Sequence, residues 1–219
     1  MRRLLGKAAR RASRTVRQFL HLNEPPPLTP RESFNVRHGC TILSARVDLA
    51  CIKGTGVYVG EGSYVISGST VLDYTWIGPE SYVNATAVAE YVSIAPGVYV
   101  GVADHSIDRV GIGAGLHDDG FEEMLRRPCS IGVNAWLGTG VVVRRGVSIG
   151  AGAVIGANSF VNKDVPAYSV AVGSPARVVR NRFTAEQIAR INETCWWKNS
   201  PDEAKRILKE LDREFGTNR

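Results

Sequence analysis

Residues 131–166 read in sixes as IGVNAW, LGTGVV, VRRGVS, IGAGAV, IGANSF and VNKDVP. An aliphatic residue opens each unit (Ile131, Leu137, Val143, Ile149, Ile155, Val161), and a small or β-branched residue stands four places later (Ala135, Val141, Val147, Ala153, Ser159, Val165). Neither a helix, with its period of 3.6, nor a strand, with its period of two, repeats every six residues. A chain that turns one side chain inward at that spacing is coiling, each unit supplying a short strand and a corner, so the repeat becomes a stack. Gly, or Asn at Asn162, follows the opening aliphatic in five of the six units, where a bulky Cβ would obstruct a tight corner. Three units per turn make a triangular prism with an all-β core.

The same register starts weakly near Val47 and is regular from Val59 through VGEGSY, VISGST, VLDYTW, IGPESY and a shortened VNATA. It resumes at Val88, Ile94 and Val100, and a coil can absorb that single deletion at one corner. Between Val100 and Ile131 the repeat stops, so roughly residues 102–130 must be extruded as a loop if the flanking strands are to stack. Long excursions from compact domains are usually functional.

The rest of the chain is appended to this coil. Residues 1–22 hold seven Lys or Arg and no Asp or Glu, leaving 20 basic and 21 acidic residues elsewhere, so the formal charge of +6 belongs to this arm. Leu4, Leu5, Ala8, Ala12, Val16, Phe19 and Leu20 fall at helical spacing, with Arg3, Lys7, Arg10, Arg14 and Arg17 largely opposite. Such a basic amphipathic helix suits peripheral docking on an anionic membrane, solvation as an arm, or packing on a neighbouring subunit. A near-neutral body gives little support to nucleic-acid binding. Residues 23–35 read as a proline-rich linker, 36–182 as the coil domain and 183–219 as a helical appendage. There, FTAEQIARINETCWW reads as one helix, and Ser200 with Glu203 as the capping box of a second from Pro201 to Phe215. Four scattered cysteines without paired spacing suit reduced thiols in the cytoplasm, with Cys51 in the core. Trp136, Trp196 and Trp197 are expected in the core, the last two packing the final helix on the coil.

Within the extruded loop, His105 follows the last regular strand, where a rigid scaffold can fix it. Acyl transfer to a hydroxyl or amine needs a base for the acceptor's proton, a task imidazole suits near neutrality. His117, in GLHDDG, is the second candidate. Asp104 and Asp108 could orient the His105 ring or simply solvate the loop. Cys129 is the nearby group able to form an acyl-enzyme instead.

The repeat, with IGANSF followed by VNKDVPAYSVAVGSPARVVRNRF, resembles the hexapeptide-repeat acyltransferases, which implies a left-handed parallel β-helix. Over roughly residues 59–197 the likeness is to the xenobiotic acetyltransferases, the group with the hexapeptide-type chloramphenicol and streptogramin enzymes. Their catalytic His opens the extruded loop after a CSIGPGV-like coil, and VSIAPGVYVGVADH puts His105 there. DHSID keeps the downstream Asp108 but lacks the preceding Asn and the aromatic-Pro-aromatic segment of that pattern. The resemblance further implies acetyl-CoA as donor and a homotrimer with no metal. By likeness to galactoside acetyltransferases it puts the donor on Thr139, Ala157, Asn162, Lys163, Arg177 and Arg180. Small residues there would admit the pantetheine arm, and Lys and Arg would neutralise phosphate.

Three function classes follow. The expected one is a cytoplasmic acetyl-CoA-dependent acyltransferase, at the inner membrane surface if the arm docks there. Its acceptor is a hydroxyl or amine of a saccharide or glycolipid precursor, with antibiotic O-acetylation as the alternative. A zinc hydratase of the γ-carbonic-anhydrase kind needs three imidazole ligands, and the chain has four histidines with only His105 and His117 in the loop. A non-catalytic scaffold needs neither His105 nor a basic exit segment.

Overall fold

The computed structural model describes residues 28–216 apart from 67, 106, 119–121 and 123–125, so the basic arm 1–22 lies outside the described residues. The coil is a parallel β-solenoid with three faces. Face A stacks seven parallel strands from Thr41–Ile42 to Ser169–Val172 and ends on an antiparallel strand, Arg177–Asn181. Face B runs from Tyr64–Val65 to Phe160–Val161 and face C from Thr70–Val71 to Ser148–Ile149. Neighbouring rungs pair in parallel with the opening aliphatics in register, as in Ile77 against Ile94 and Ile131 against Ile149.

Those aliphatics form the core. Val59, Val65, Val71, Ile77, Val83, Ile94, Val100, Leu137, Val143 and Ile155 are fully buried, and each is worth about 1.5–3 kcal/mol by transfer from water. Four residues on, Ser63, Ser69, Thr75, Ser81, Val98, Val141, Val147 and Ser159 are buried too, whereas Ala87, past the deletion, and Asp104, at the root of the loop, are exposed. Most of the buried hydroxyls among them reach a backbone carbonyl of the next rung, Ser63 Oγ donating to Gly78 O at 2.8 Å and Ser81 Oγ to Ala95 O at 3.1 Å, while Ser159 Oγ accepts from the Gly173 amide at 3.0 Å. A buried hydroxyl is tolerated because it is paired. Cys51 is buried, as its register predicts.

The two ends differ from the sequence reading in detail. Residues from Pro30, assigned there to a linker, begin helix α1 (Pro30–His38), because Thr29 and Glu32 cap each other and Pro30 fits the first turn. Asn35 of this helix gives both amide atoms to the backbone of Ile42 at 3.1 Å, standing in for a strand above the top rung.

At the other end, α2 (Ala185–Thr194) is capped by Thr184 and Gln187 and stops at Cys195, whose φ is 44°. Trp196–Lys198 form a short 3₁₀ turn before α3 (Pro201–Phe215). The expected Ser200–Glu203 box does not form, because Glu203 is engaged by Arg206 at 2.6 Å. Trp196 is buried against Tyr91, ring centroids 5.1 Å apart, and joins Tyr168, Ile191, Ala204 and Leu211 in a second core. Tyr168 donates to Asn192 Oδ1 at 2.7 Å, and burial pushes its phenol pKa up. Trp136 is the exception among the three tryptophans expected in the core. It is 52% exposed on face A, because it directly precedes the inward Leu137 and a strand alternates its faces.

Candidate active site

Each turn has three corners, and one departs from the repeat. Between faces B and C the chain loses a residue at Asn84–Ala85, extrudes the segment between Tyr99–Val102 and Cys129–Ile131, and carries Arg144–Arg145 one rung further on. Below these come Asn162, Lys163 and Asp164, where face B hands the chain to Val165 and Val165 bridges to Ile149 on face C.

Under the root of the loop this corner forms a cleft of about 250 Å³. Its lining unites His105 with Asn162 and Lys163, residues far apart in the chain and expected from the sequence to serve acceptor and donor separately. The remaining charged lining is Asp104, Asp108, Arg127, Arg144, Arg145 and Asp164. The Asp104 carboxylate accepts from Arg144 Nε, which ties the loop's first residues to the coil beside His105. Both partners are about half exposed, so this pair is worth less than about 1 kcal/mol and its use is positional. Asp164 Oδ1 accepts from the Ser148 amide at 2.8 Å and closes the corner below.

Arg145 is different in kind. It is 8% exposed, its Nη2 donates to Gly101 O, and Nε and Nη1 are buried without a hydrogen-bond partner among the described residues. Asn162 Oδ1 is likewise buried and unpaired among them. Beside the cleft, face B presents Tyr99, Val142 and Phe160 as an apolar wall.

The other sequence candidates lie elsewhere on the chain. Thr139 and Ala157 are exposed at the A-to-B corner of successive rungs, linked by Asn158 N to Thr139 O at 2.8 Å. There a Cβ on Gly138 would sit 2.7 Å from the Ala157 nitrogen, so the backbones touch and leave an open ledge outside. Arg177 and Arg180 are exposed on the antiparallel strand of face A, their Nη1 atoms donating to the carbonyls of Ala176 and Asn181. His117 points back into its own loop, its Nε2 2.7 Å from Gly111 O, and does not line the cleft. Cys129 is buried inside the coil with Sγ toward Arg144 O and does not itself line the cleft. Among the described residues no group of three or more His, Cys, Asp or Glu is placed to hold a metal ion.

Arg127, Arg144 and Arg145 are not among the sequence candidates. A signal exists for two of them: VRRGVS is the one hexad of the six without Gly or Asn after its opening aliphatic.

Residues 128–163 match the family model described as bacterial transferase hexapeptide (six repeats). The chain is 36% identical over 128 residues to the galactoside O-acetyltransferase of Escherichia coli K12, covering 58% of this chain and 55% of that one. It is 41% identical over 78 residues to a chloramphenicol acetyltransferase of Klebsiella aerogenes, covering 36% and 37%. The chain thus spans about half the length, or less, of these curated relatives. Among solved structures it superposes with a TM-score of 0.58 on a point mutant of AntD, an N-acyltransferase from Bacillus cereus in complex with dTDP-4-amino-4,6-dideoxyglucose and coenzyme A. That match has 16% identity and covers 77% of this chain and 96% of the other, a likeness of fold.

Proposed function

We propose, from a coil whose residues 128–163 are a bacterial transferase hexapeptide repeat, that this chain is an acetyl-CoA-dependent acetyltransferase acting on a hydroxyl or amine of a saccharide or glycolipid precursor. The observation that carries the reading is the meeting of His105, Asn162 and Lys163 in one cleft at the single corner where the repeat is broken. The relative with the longer match, galactoside O-acetyltransferase, supports a saccharide acceptor. The chloramphenicol acetyltransferase match favours antibiotic acetylation as the second reading.

Acetyl-CoA supplies an acyl carbon activated as a thioester. The residues here fit such a donor: exposed Thr139 and Ala157 leave room along the A-to-B ledge, and Lys163, Arg177 and Arg180 offer exposed cations to phosphate. His105 accepts the proton of the acceptor's hydroxyl or amine as that atom forms its bond to the acyl carbon, then returns the proton to the sulfur as the thioester bond breaks. The proton balance closes on one imidazole, so both substrates are bound together and no acyl-enzyme is needed. Burial of Cys129 in the coil supports this direct route over a thiol nucleophile. Face B, apolar outside at Tyr64, Tyr99 and Phe160, suits a homotrimer that covers it.

The test is thiol release from acetyl-CoA against panels of saccharides, glycolipid precursors and antibiotics. Turnover confined to the antibiotic panel would replace the saccharide reading, and absence of transfer to every panel would end the proposal. Light scattering should give three times the chain mass, and a stable monomer would remove the shared-interface model.

A further inference from the structure

We propose that Arg145 anchors a phosphate-binding subsite in the His105 cleft, and that the acceptor is therefore a phosphorylated or phosphodiester-linked molecule. This assignment deepens the acetyltransferase reading and rests on it for the word acceptor. The subsite itself stands on Arg145 alone.

Arginine keeps its charge when buried, and a buried cation is costly unless paired. In this protein Arg145 as a whole is 8% exposed, and its guanidinium has one carbonyl partner at Gly101 and keeps Nε and Nη1 buried and unpaired among the described residues. The acids lining the same cleft do not neutralise it: Asp104 is taken by Arg144, Asp164 accepts from the Ser148 backbone, and Asp108 has no hydrogen bond to it. Arg127 and Lys163 add two further cations to the lining, giving four bases against three acids. A counter-anion is therefore missing from the described residues. A phosphate group answers the deficit, since its oxygens accept from several N–H groups at once and arginine's planar fork is matched to them. Asn162 Oδ1, buried and unpaired in the same lining, offers the complementary acceptor for a hydroxyl of the same ligand.

Two sources could bring the phosphate, the acceptor or the donor nucleotide. The acceptor is favoured because His105, which must reach the acceptor's nucleophile, shares the cleft with Arg145, whereas two of the three donor cations, Arg177 and Arg180, lie on the last strand of face A and only Lys163 of that set shares the lining.

Melting curves of the full chain with inorganic phosphate as probe test this without activity. Phosphate should raise the wild-type melting temperature saturably, and the rise should persist in saturating coenzyme A. Arg145→Met, neutral and of similar length, should melt no lower than wild type without phosphate and need at least about tenfold more phosphate for the same rise. A phosphate effect removed by coenzyme A or by dephospho-coenzyme A would give the subsite to the donor and overturn the acceptor assignment. No phosphate effect on wild type, or an Arg145→Met chain that melts lower yet responds to phosphate normally, would overturn the subsite. Should Arg145→Met fail to fold, Arg145→Lys decides: several-fold weaker phosphate binding is expected, and unchanged binding overturns the role. Phosphate binding without thiol release on any acceptor would sink the acetyltransferase reading and leave the subsite standing.

Discussion

The A-to-B and B-to-C corners are built from the same six-residue unit, yet one is nearly invariant down the stack and the other changes at almost every rung. At the A-to-B corner the rungs touch through backbone: a Cβ on Gly78 would lie 2.6 Å from the Pro96 nitrogen and 2.8 Å from the Ala95 carbonyl carbon. At Gly78 nothing larger than glycine fits without moving the facing rung, although the equivalent place one rung on is taken by Ala95. The B-to-C corner tolerates a deletion at Ala85, an extruded segment after Val102 and paired arginines at Arg144 and Arg145. Stacking is thus secured where backbone meets backbone, at the A-to-B corner and at the C-to-A corner, where a Cβ on Gly132 would lie 2.5 Å from the Ala151 nitrogen, and the B-to-C edge is left free to carry chemistry.

The sharpest break in this comparison separates stability from turnover. His105→Ala should lower kcat by about 10²- to 10⁴-fold and leave the melting temperature and donor affinity nearly unchanged. A variant that keeps its rate would remove His105 as base. Gly78→Ala should do the converse, costing about 1–3 kcal/mol by overpacking against the next rung, read from urea unfolding, with the rate per folded molecule preserved. An unchanged midpoint would mean that the A-to-B edge is not what holds the stack.

Smaller effects refine the division of the candidate donor residues. Lys163→Ala and Arg180→Ala should each weaken acetyl-CoA binding by several-fold, with the loss shrinking at high salt as exposed charges are screened. Equal losses for coenzyme A and its dephospho form, measured by titration calorimetry, would move these residues off the 3′-phosphate. Smallest of all, Asp104→Asn should change stability by less than about 1 kcal/mol, since its pair with Arg144 is half exposed. If the pair positions His105, that substitution lowers kcat several-fold with KM for the donor unchanged, and equal kinetics would reduce it to a surface contact.

The coil is legible in the sequence because its period is a direct print of its geometry. Every opening aliphatic from Val59 to Val161 is buried, and the place where the text stops repeating is where the chain leaves the stack. Residue 105 stands out for the same reason. What stays hidden depends on neighbours far away in the chain. The burial of Arg145 is set by Gly101, 44 residues earlier, and the fate of Glu203 by a choice between Ser200 and Arg206 that spacing cannot decide. Trp136 looks like core by composition, but only the register of its strand turns it outward. The donor candidates form one set by likeness, and the fold distributes them over two corners and a strand. A linear pattern carries no information on which edge of a prism a residue will occupy.

The strand Arg177–Asn181 bears on a hazard common to every stack of parallel rungs. The last rung of such a coil has an open row of N–H and C=O groups, a template on which a second molecule could continue the stack into a filament. In this chain the final parallel strand is met by a segment running the opposite way, paired from Ser169↔Asn181 to Val172↔Arg177, with all five of its residues exposed and two of them arginine. An incoming parallel rung finds the wrong polarity and two like charges in its path. The direction reversal at this strand thus closes the ladder of face A to a further rung of the same polarity.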